Sequence, residues 1–415
     1  MAAVGRHIMN PRDISIRDYT YVLPQEKIAF YPLEERDQSK LLVYRNNHSQ
    51  EAIFRDLTAF LPAGSQIVFN NTRVVEARLL FTKETGARIE VFCLEPPPVY
   101  GDLQQAMQQK GEVLWSCLIG GASKWKKGQV LHKQIETGDR TIRLSASWKE
   151  KWKDSFLIAF SWDQPELSFA EILHLAGLIP LPPYIKRAAA AADSSRYQTI
   201  YAEREGSVAA PTAGLHFTDT VLENLQKSDM GLHHITLHVG AGTFKPVSAS
   251  RMEEHAMHAE FIEVEKKFID KLIQQDDSPV IAVGTTSMRT LESLYWLGCL
   301  AEKKSLPEES IWLDQWEPYD HPSDLSKKEA LQALSNWMES SGKEKLYAKT
   351  QILIVPGYDF KVVDGLITNF HQPESTLLLL VAAFIGSRWK EVYQYALEQD
   401  FRFLSYGDAC LFFRQ

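Results

Sequence analysis

Residues 234–247 read His-Ile-Thr-Leu-His-Val-Gly-Ala-Gly-Thr-Phe-Lys-Pro-Val, and residues 280–289 read Val-Ile-Ala-Val-Gly-Thr-Thr-Ser-Met-Arg. Each is a short apolar run that breaks on glycine. The first predicts a strand over 234–239 that stops at Gly240 and Gly242. The second predicts a strand over 280–283 that turns at Gly284 into a helix over 286–300. A helical period over 265–275 lies between them, and a further alternation follows through 351–355, 375–385 and 387–399. Alternating strands and helices predict an α/β layer whose functional face is the set of loops at the strand ends. Glycine at such a turn lets the backbone bend tightly or approach a ligand closely.

Outward from this stretch the texture changes. Strands are predicted over 40–44 and 66–70. From 74 to 160 short alternating runs dominate, over 88–94, 112–118, 129–133, 141–145 and 155–160, separated by turn residues. That spacing is the signature of an all-β barrel or sandwich. Helical periods return at 169–177. The expected fold is therefore a large, barrel-like α/β domain (1–73 plus 161–415) with an inserted all-β barrel domain over 74–160. Residues 302–350, charged and bearing Trp and Pro, read as a surface insertion with one helix over 326–339. The alanines at 188–192 read as a helix end.

The chain has 415 residues, enough for two cores. Its 45% apolar and 24% charged residues are ordinary for a soluble globular protein. Residues 1–12 carry no apolar segment of a secretory signal, and the longest apolar run, near 377–386, is too short to span a bilayer. The four cysteines, Cys93, Cys117, Cys299 and Cys410, form no Cys-x-x-Cys pair, which fits a reducing cytoplasm rather than a disulfide framework or a thiolate zinc site. A net charge of −8 requires any nucleic acid to be met by a local basic patch.

Several constellations carry chemistry. Thr212 and His216 lie in Ala209-Ala-Pro-Thr-Ala-Gly-Leu-His-Phe-Thr218, and His238 ends a strand before Gly240-Ala-Gly-Thr243. Imidazoles beside such turns are suited to proton transfer near neutral pH. His255-Ala-Met-His258-Ala-Glu260 offers His258 and Glu260 as a second proton-transfer pair. A metal reading of His255, His258 and Glu260 stands behind it, because the two histidines are three apart where the metalloprotease helix needs four; for His255 alone a plain polar turn weighs as much. Thr285, Thr286, Ser287 and Arg289 open a helix, where free N–H groups, hydroxyls and a guanidinium fork favour a carboxylate or phosphate. The alternative is a capped helix with an exposed Arg; the Gly-Lys-Ser/Thr of a phosphate-binding P-loop is absent. Asp364, Asn369 and His371 crowd a strand-to-helix junction, with Ser375 as an N-cap. Ser405-Tyr-Gly-Asp408 is a further polar turn, either a site or a cap. Lys124-Trp125-Lys126-Lys127 is either an RNA grip, with lysines on phosphates and the Trp on a base, or a solvated hairpin tip.

Taken in order, these motifs resemble the S-adenosylmethionine:tRNA ribosyltransferase-isomerase family of queuosine biosynthesis. The resemblance rests on Tyr31-Pro-Leu-Glu-Glu-Arg36, Phe69-Asn-Asn-Thr-Arg73, Pro180-Leu-Pro-Pro-Tyr-Ile-Lys-Arg187, Arg196-Tyr-Gln-Thr199, the stretches 209–218 and 238–247, Ala282-Val-Gly-Thr-Thr-Ser-Met-Arg-Thr290, Val363-Asp-Gly-Leu-Ile-Thr-Asn-Phe-His371 and Phe403-Leu-Ser-Tyr-Gly-Asp408. It runs from about residue 13 to the end. Gln372 and Cys410 depart from the pattern, and 302–350 is longer than it. The resemblance implies that the ribosyl part of S-adenosylmethionine passes to a 7-aminomethyl-7-deazaguanine already in a tRNA with a queuosine-type anticodon. Adenine and methionine leave, and epoxyqueuosine-tRNA forms. It implies S-adenosylmethionine as co-substrate, no metal and no further cofactor, and a cytoplasmic monomer with no membrane association and no obligate protein partner. The catalytic candidates are His216, His238, His258, Glu260 and Asp364. The substrate-binding candidates are Thr212, Gly240, Gly242, Thr243, Thr285, Thr286, Ser287, Arg289, Asn369 and His371, and the RNA-binding candidates are Lys124, Trp125, Lys126 and Lys127. Two further readings compete: a non-catalytic RNA-binding module, and a metal hydrolase on His255, His258 and Glu260.

Overall fold

A computed structural model of the chain describes residues 10–100, 103–138, 140–152, 155–240 and 249–414. Its main feature is a ten-stranded mixed sheet. In spatial order the strands are Trp312–Leu313, Lys345–Thr350, Glu260–Glu265, Gly231–His238, Gln66–Asn70, Val280–Val283, Gly365–Asn369, Ala409–Phe413, Lys40–Arg45 and His48–Ile53. The middle four, from Gly231–His238 to Gly365–Asn369, are mutually parallel. Three of them, Gln66–Asn70, Val280–Val283 and Gly365–Asn369, are buried at every residue. Parallel strands covered on both faces read as continuous apolar runs, which is why these segments show no alternation.

Helices cover both faces. Thr285–Glu302 follows Val280–Val283 directly and is buried at every residue from Ser287 to Cys299. It enters the main core with Leu291, Leu294 and Leu297. Glu292, on the same helix, is fully buried and accepts from Tyr358 Oη and from the backbone N–H groups of Lys361, Val362 and Val363, at 2.9–3.0 Å. Those four donors are what make a buried carboxylate tolerable. Burial still raises its pKa.

A second, seven-stranded antiparallel sheet runs in the order Gly177–Leu178, Arg78–Thr82, Arg88–Glu95, Glu112–Gly120, Phe156–Trp162, Arg140–Lys151 and Val130–Thr137. It has its own apolar core, with Trp115, Phe160 and Phe169 at its centre. Phe169 comes from the helix Phe169–Ala176, whose start is fixed by a capping box between Ser168 and Glu171.

Four expectations change here. The edge strands of the large sheet, Trp312–Leu313 and His48–Ile53, do not pair with each other among the described residues, so the large α/β layer is an open sheet rather than barrel-like. Residues 302–350 are not a surface insertion. Lys345–Thr350 pairs along its whole length with Glu260–Glu265, and the helix Lys327–Ser340 buries Ala330, Leu331, Leu334 and Met338 in the main core. Charges on the outer faces of these elements hid the apolar inner faces. The strand predicted over 351–355 lies instead at Lys345–Thr350, and the Ala run at 188–192 precedes the short helix Asp193–Arg196 rather than ending one.

Candidate active site

The four parallel strands end together at Asn70, His238, Val283 and Asn369. In open α/β sheets the ends of parallel strands are where ligands bind. Asn70 fixes the first two ends to each other: its amide N–H donates to Leu237 O, and its Oδ1 accepts from Leu237 N, each at 3.0 Å. Asn71 Oδ1 accepts from Thr236 Oγ1 at 2.7 Å. The Phe69-Asn-Asn-Thr-Arg73 motif is thus a clip between strands.

His216 ends the turn Thr212–His216 and is 5% exposed. Its Nδ1 lies 2.8 Å from Ser39 Oγ, and its Nε2 lies 3.1 Å from Asn369 Nδ2. The Asn369 amide must donate there, because its Oδ1 already accepts from Thr212 Oγ1 at 2.8 Å. Nε2 is therefore the acceptor, and Nδ1–H donates to Ser39. Burial, then the nearby Arg402 charge, lowers the pKa of His216 to about 3. The imidazole is neutral, in one tautomer, with both nitrogens bonded. Thr212, His216 and Asn369 come together as a polar line, and sequence reasoning missed its fourth member, Ser39.

His238 is the less committed imidazole. Its Nδ1 lies 3.3 Å from Thr72 Oγ1, whose hydroxyl is 3.4 Å from Arg204 O and donates there. Nδ1–H is then the donor, and Nε2 makes no hydrogen bond among the described residues. Burial lowers the His238 pKa to about 4. Gly206 (φ +134°) makes room for it, since a Cβ there would stand 3.0 Å from Nδ1.

At the start of Thr285–Glu302, Gly284 adopts φ +89°, ψ +153°, a region open in practice only to glycine. Arg289, 7% exposed, pairs with the equally buried Glu260, and its Nε donates to Ile352 O at 3.3 Å. Arg289 Nη2 and Thr286 Oγ1 are buried without a partner among the described residues. Thr285 is 8% exposed. Ser287 is not available to a ligand, because its hydroxyl donates to Val283 O, at the end of the preceding strand, at 2.8 Å. His371 packs beside Asn369, its Nε2 2.9 Å from Thr368 Oγ1, and burial lowers its pKa to about 3. Gly240 lies two residues past the end of the strand Gly231–His238, whereas Gly242 and Thr243 lie outside the described residues.

Four predicted residues stand elsewhere or in other roles. Asp364 precedes Gly365, at the opposite end of the strand that carries Asn369. Five steps of roughly 3.3 Å each separate them, and its Oδ2 accepts from Val280 N at 3.0 Å, so it holds the sheet's other edge. There it lines a cleft of about 550 Å³ with Arg45, Lys327 and Arg414. Trp125 is 1% exposed and its indole N–H donates to Gln129 O at 3.0 Å, so it plugs the hairpin tip and offers no face to a base. Lys124, Lys126 and Lys127 remain exposed around it. Glu260 is taken up by Arg289, while His258 is exposed. Among the described residues no three of His, Cys, Asp and Glu gather as a metal-binding group. No helix among them is long and apolar enough to cross a membrane.

The profile of the queuosine biosynthesis protein family matches residues 16–412. The chain belongs to that family. It is 36% identical over 405 residues to the S-adenosylmethionine:tRNA ribosyltransferase-isomerase of Halothermothrix orenii, covering 96% of this chain and 99% of that protein. It is 37% identical over 400 residues to the protein of the same name from Magnetococcus marinus, covering 96% and 93%. A crystal structure of the S-adenosylmethionine tRNA ribosyltransferase of Thermotoga maritima is 28% identical over 95% of this chain and 99% of that one, with a TM-score of 0.45. Arg36, Ser39 and Arg196 line a recess together with His216. Only their place in Tyr31–Arg36 and Arg196–Thr199, or beside them, pointed to them in the sequence.

Proposed function

We propose that this chain is an S-adenosylmethionine:tRNA ribosyltransferase-isomerase that forms epoxyqueuosine-tRNA from tRNA bearing 7-aminomethyl-7-deazaguanine, with release of adenine and methionine. The observation that carries the reading is near-complete alignment, 96% of the chain, with relatives of that name. The strand-end geometry supports it. The reaction needs a base for the acidified C5′–H beside the sulfonium, a neutral attacking amine, and a proton for departing adenine. His238, neutral above about pH 4 with Nε2 open among the described residues, acts as the base. His216, fully bonded, orients Asn369 and Thr212 towards the substrate and does not itself move the proton. The methionine carboxylate sits at Thr285, Thr286 and Arg289, where Arg289 Nη2 and Thr286 Oγ1 are donors in want of an acceptor.

S-adenosylmethionine is the co-substrate, and the substrate's own sulfonium supplies the electrophile. The seven-stranded sheet, closed into a barrel and inserted into the α/β domain, presents the exposed lysines at 124, 126 and 127 to tRNA. Lys133 Nζ, on one end strand, donates to Leu80 O, near the other end, at 3.3 Å, which favours closure. The protein works in the cytoplasm as a monomer. Adenine release from S-adenosylmethionine, measured with and without precursor-bearing tRNA, is the test. Release that does not depend on that tRNA, or no release, removes this function.

A further inference from the structure

Arg36 and Arg196 are charged groups beside His216 that no carboxylate answers among the described residues. Arg36 donates through Nη1 to Gln198 O at 2.6 Å and through Nη2 to Ser195 O at 2.8 Å, the carbonyls on either side of Arg196. Arg196 in turn donates to Leu33 O. Among the described residues neither forms an ion pair, although both are only partly exposed. The acids close by are already taken. Asp37 pairs with Arg55, Asp193 with Arg187, and Asp408 with Arg402. Together with Arg402, these two arginines line a recess whose wall includes His216, Ser39 and Ser405.

Each guanidinium has five donors in a rigid fork. Arg36 uses two of them and Arg196 uses one. Carbonyl oxygens satisfy hydrogen bonds without neutralising charge, so the recess keeps a positive potential in a chain of net charge −8. Burial, then the Arg196 charge, lowers the Arg36 pKa, and burial, then the Arg402 charge, lowers that of His216. Unpaired, partly buried arginines are costly unless an anion completes them. Neutral His216 beside them adds an uncharged wall that does not oppose an anion.

We infer that this recess binds an oxyanion, and that the anion is a backbone phosphate of the RNA substrate, held by Arg36 and Arg196 with Arg402 behind them. The inference rests on the function proposed above. Three forks around one recess match a tetrahedral, multiply charged group better than a planar carboxylate. The phosphate would anchor the RNA beside Thr212 and Asn369, which positions the modified base at the strand ends.

The experiment uses the full chain. tRNA affinity is measured against salt concentration for the wild type, Arg36→Gln, Arg196→Gln and Arg196→Lys, each with its circular dichroism spectrum recorded. Each Gln variant should bind on the order of tenfold or more weakly, as loss of a charge-assisted bond does. Its log–log salt slope should fall by about 0.7 to 0.9. Arg196→Lys should recover the slope but not the full affinity, because an ammonium cannot fork. Natively folded Gln variants with an unchanged slope overturn the assignment. So does a raised KM for S-adenosylmethionine with the tRNA slope intact, which would make the anion the co-substrate's carboxylate.

If the Gln variants do not fold, the wild type decides. Millimolar inorganic phosphate should raise its Tm relative to chloride at equal ionic strength and compete with tRNA, and the absence of both effects overturns the site. Phosphate binding by a wild-type chain that neither binds tRNA nor releases adenine would leave an anion site but overturn its assignment to RNA, and with it the enzyme reading beneath.

Discussion

Two histidines a few residues from glycine turns have opposite chemical standing. His216 has both nitrogens bonded, and His238 has one open among the described residues. If His238 is the base, His238→Gln should keep both substrates bound and lower kcat by about 10²- to 10⁴-fold. The acid limb of the pH–rate profile should then lie near pH 4, since the base is lost only as pH falls through the lowered value. A limb near 6.5, or an unchanged kcat in the variant, moves the proton to another group. His216 makes a separate prediction about stability. Its folded pKa, about 3, is below the unfolded value of about 6.5. Between those values the unfolded chain binds more protons, so stability is complete above about pH 6.5 and falls as pH drops below it. The slope is about 1.4 kcal/mol per pH unit for this group. Urea titrations at pH 7.5 and 5.5 on the wild type and His216→Asn check it: the variant should be less stable at pH 7.5 but lose less on acidification.

At the scale of elements, the start of the helix Thr285–Glu302 and the tip of the small sheet each behave differently from an exposed motif. Arg289 is part of a buried ion pair with Glu260. Arg289→Ala should therefore destabilise the fold by about 3–5 kcal/mol, by stranding a buried charge, as well as raise the KM for S-adenosylmethionine. The double variant Arg289→Met with Glu260→Leu should recover much of the stability but not the KM. A stable single variant in urea denaturation would show that the pair is solvated. At the tip, Trp125 is packing and the lysines are surface. Replacing Lys124, Lys126 and Lys127 by Ser should lower the tRNA salt slope by about 0.7 to 0.9 for each phosphate no longer neutralised, and leave Tm nearly unchanged. Trp125→Ala should instead cost about 3–5 kcal/mol of stability. An unaltered slope in the triple variant would leave the tip as a solvated hairpin.

At the scale of the whole molecule, the segment read from sequence as an insertion is part of the frame. Lys345–Thr350 zips to Glu260–Glu265, and Leu331, Leu334 and Met338 close the main core behind Thr285–Glu302. Replacing residues 306–344 with a short Gly/Ser linker should abolish cooperative unfolding rather than merely alter substrate preference. A deletion variant that keeps a sharp, wild-type-like melting transition would return the segment to the surface.

The sequence alone determined much of this protein. Unbroken apolar runs such as Val280–Val283 announced buried parallel strands, glycine breaks announced their functional ends, and the ordered motifs from Tyr31 to Asp408 announced the family. Those signals are local, written in period and in turn chemistry. What only the tertiary structure decided is which residues meet. Asp364 and Asn369 are five positions apart, yet they stand at opposite edges of a sheet because the strand between them is extended. Trp125 sits among lysines in sequence but is turned into the core of its sheet. Arg36, Arg196 and Arg402 are far apart along the chain and carry no periodicity, yet the chain's path brings them around one recess beside His216. The charge of such a recess and the bonding of an imidazole depend on neighbours supplied by remote segments, and no local pattern records them.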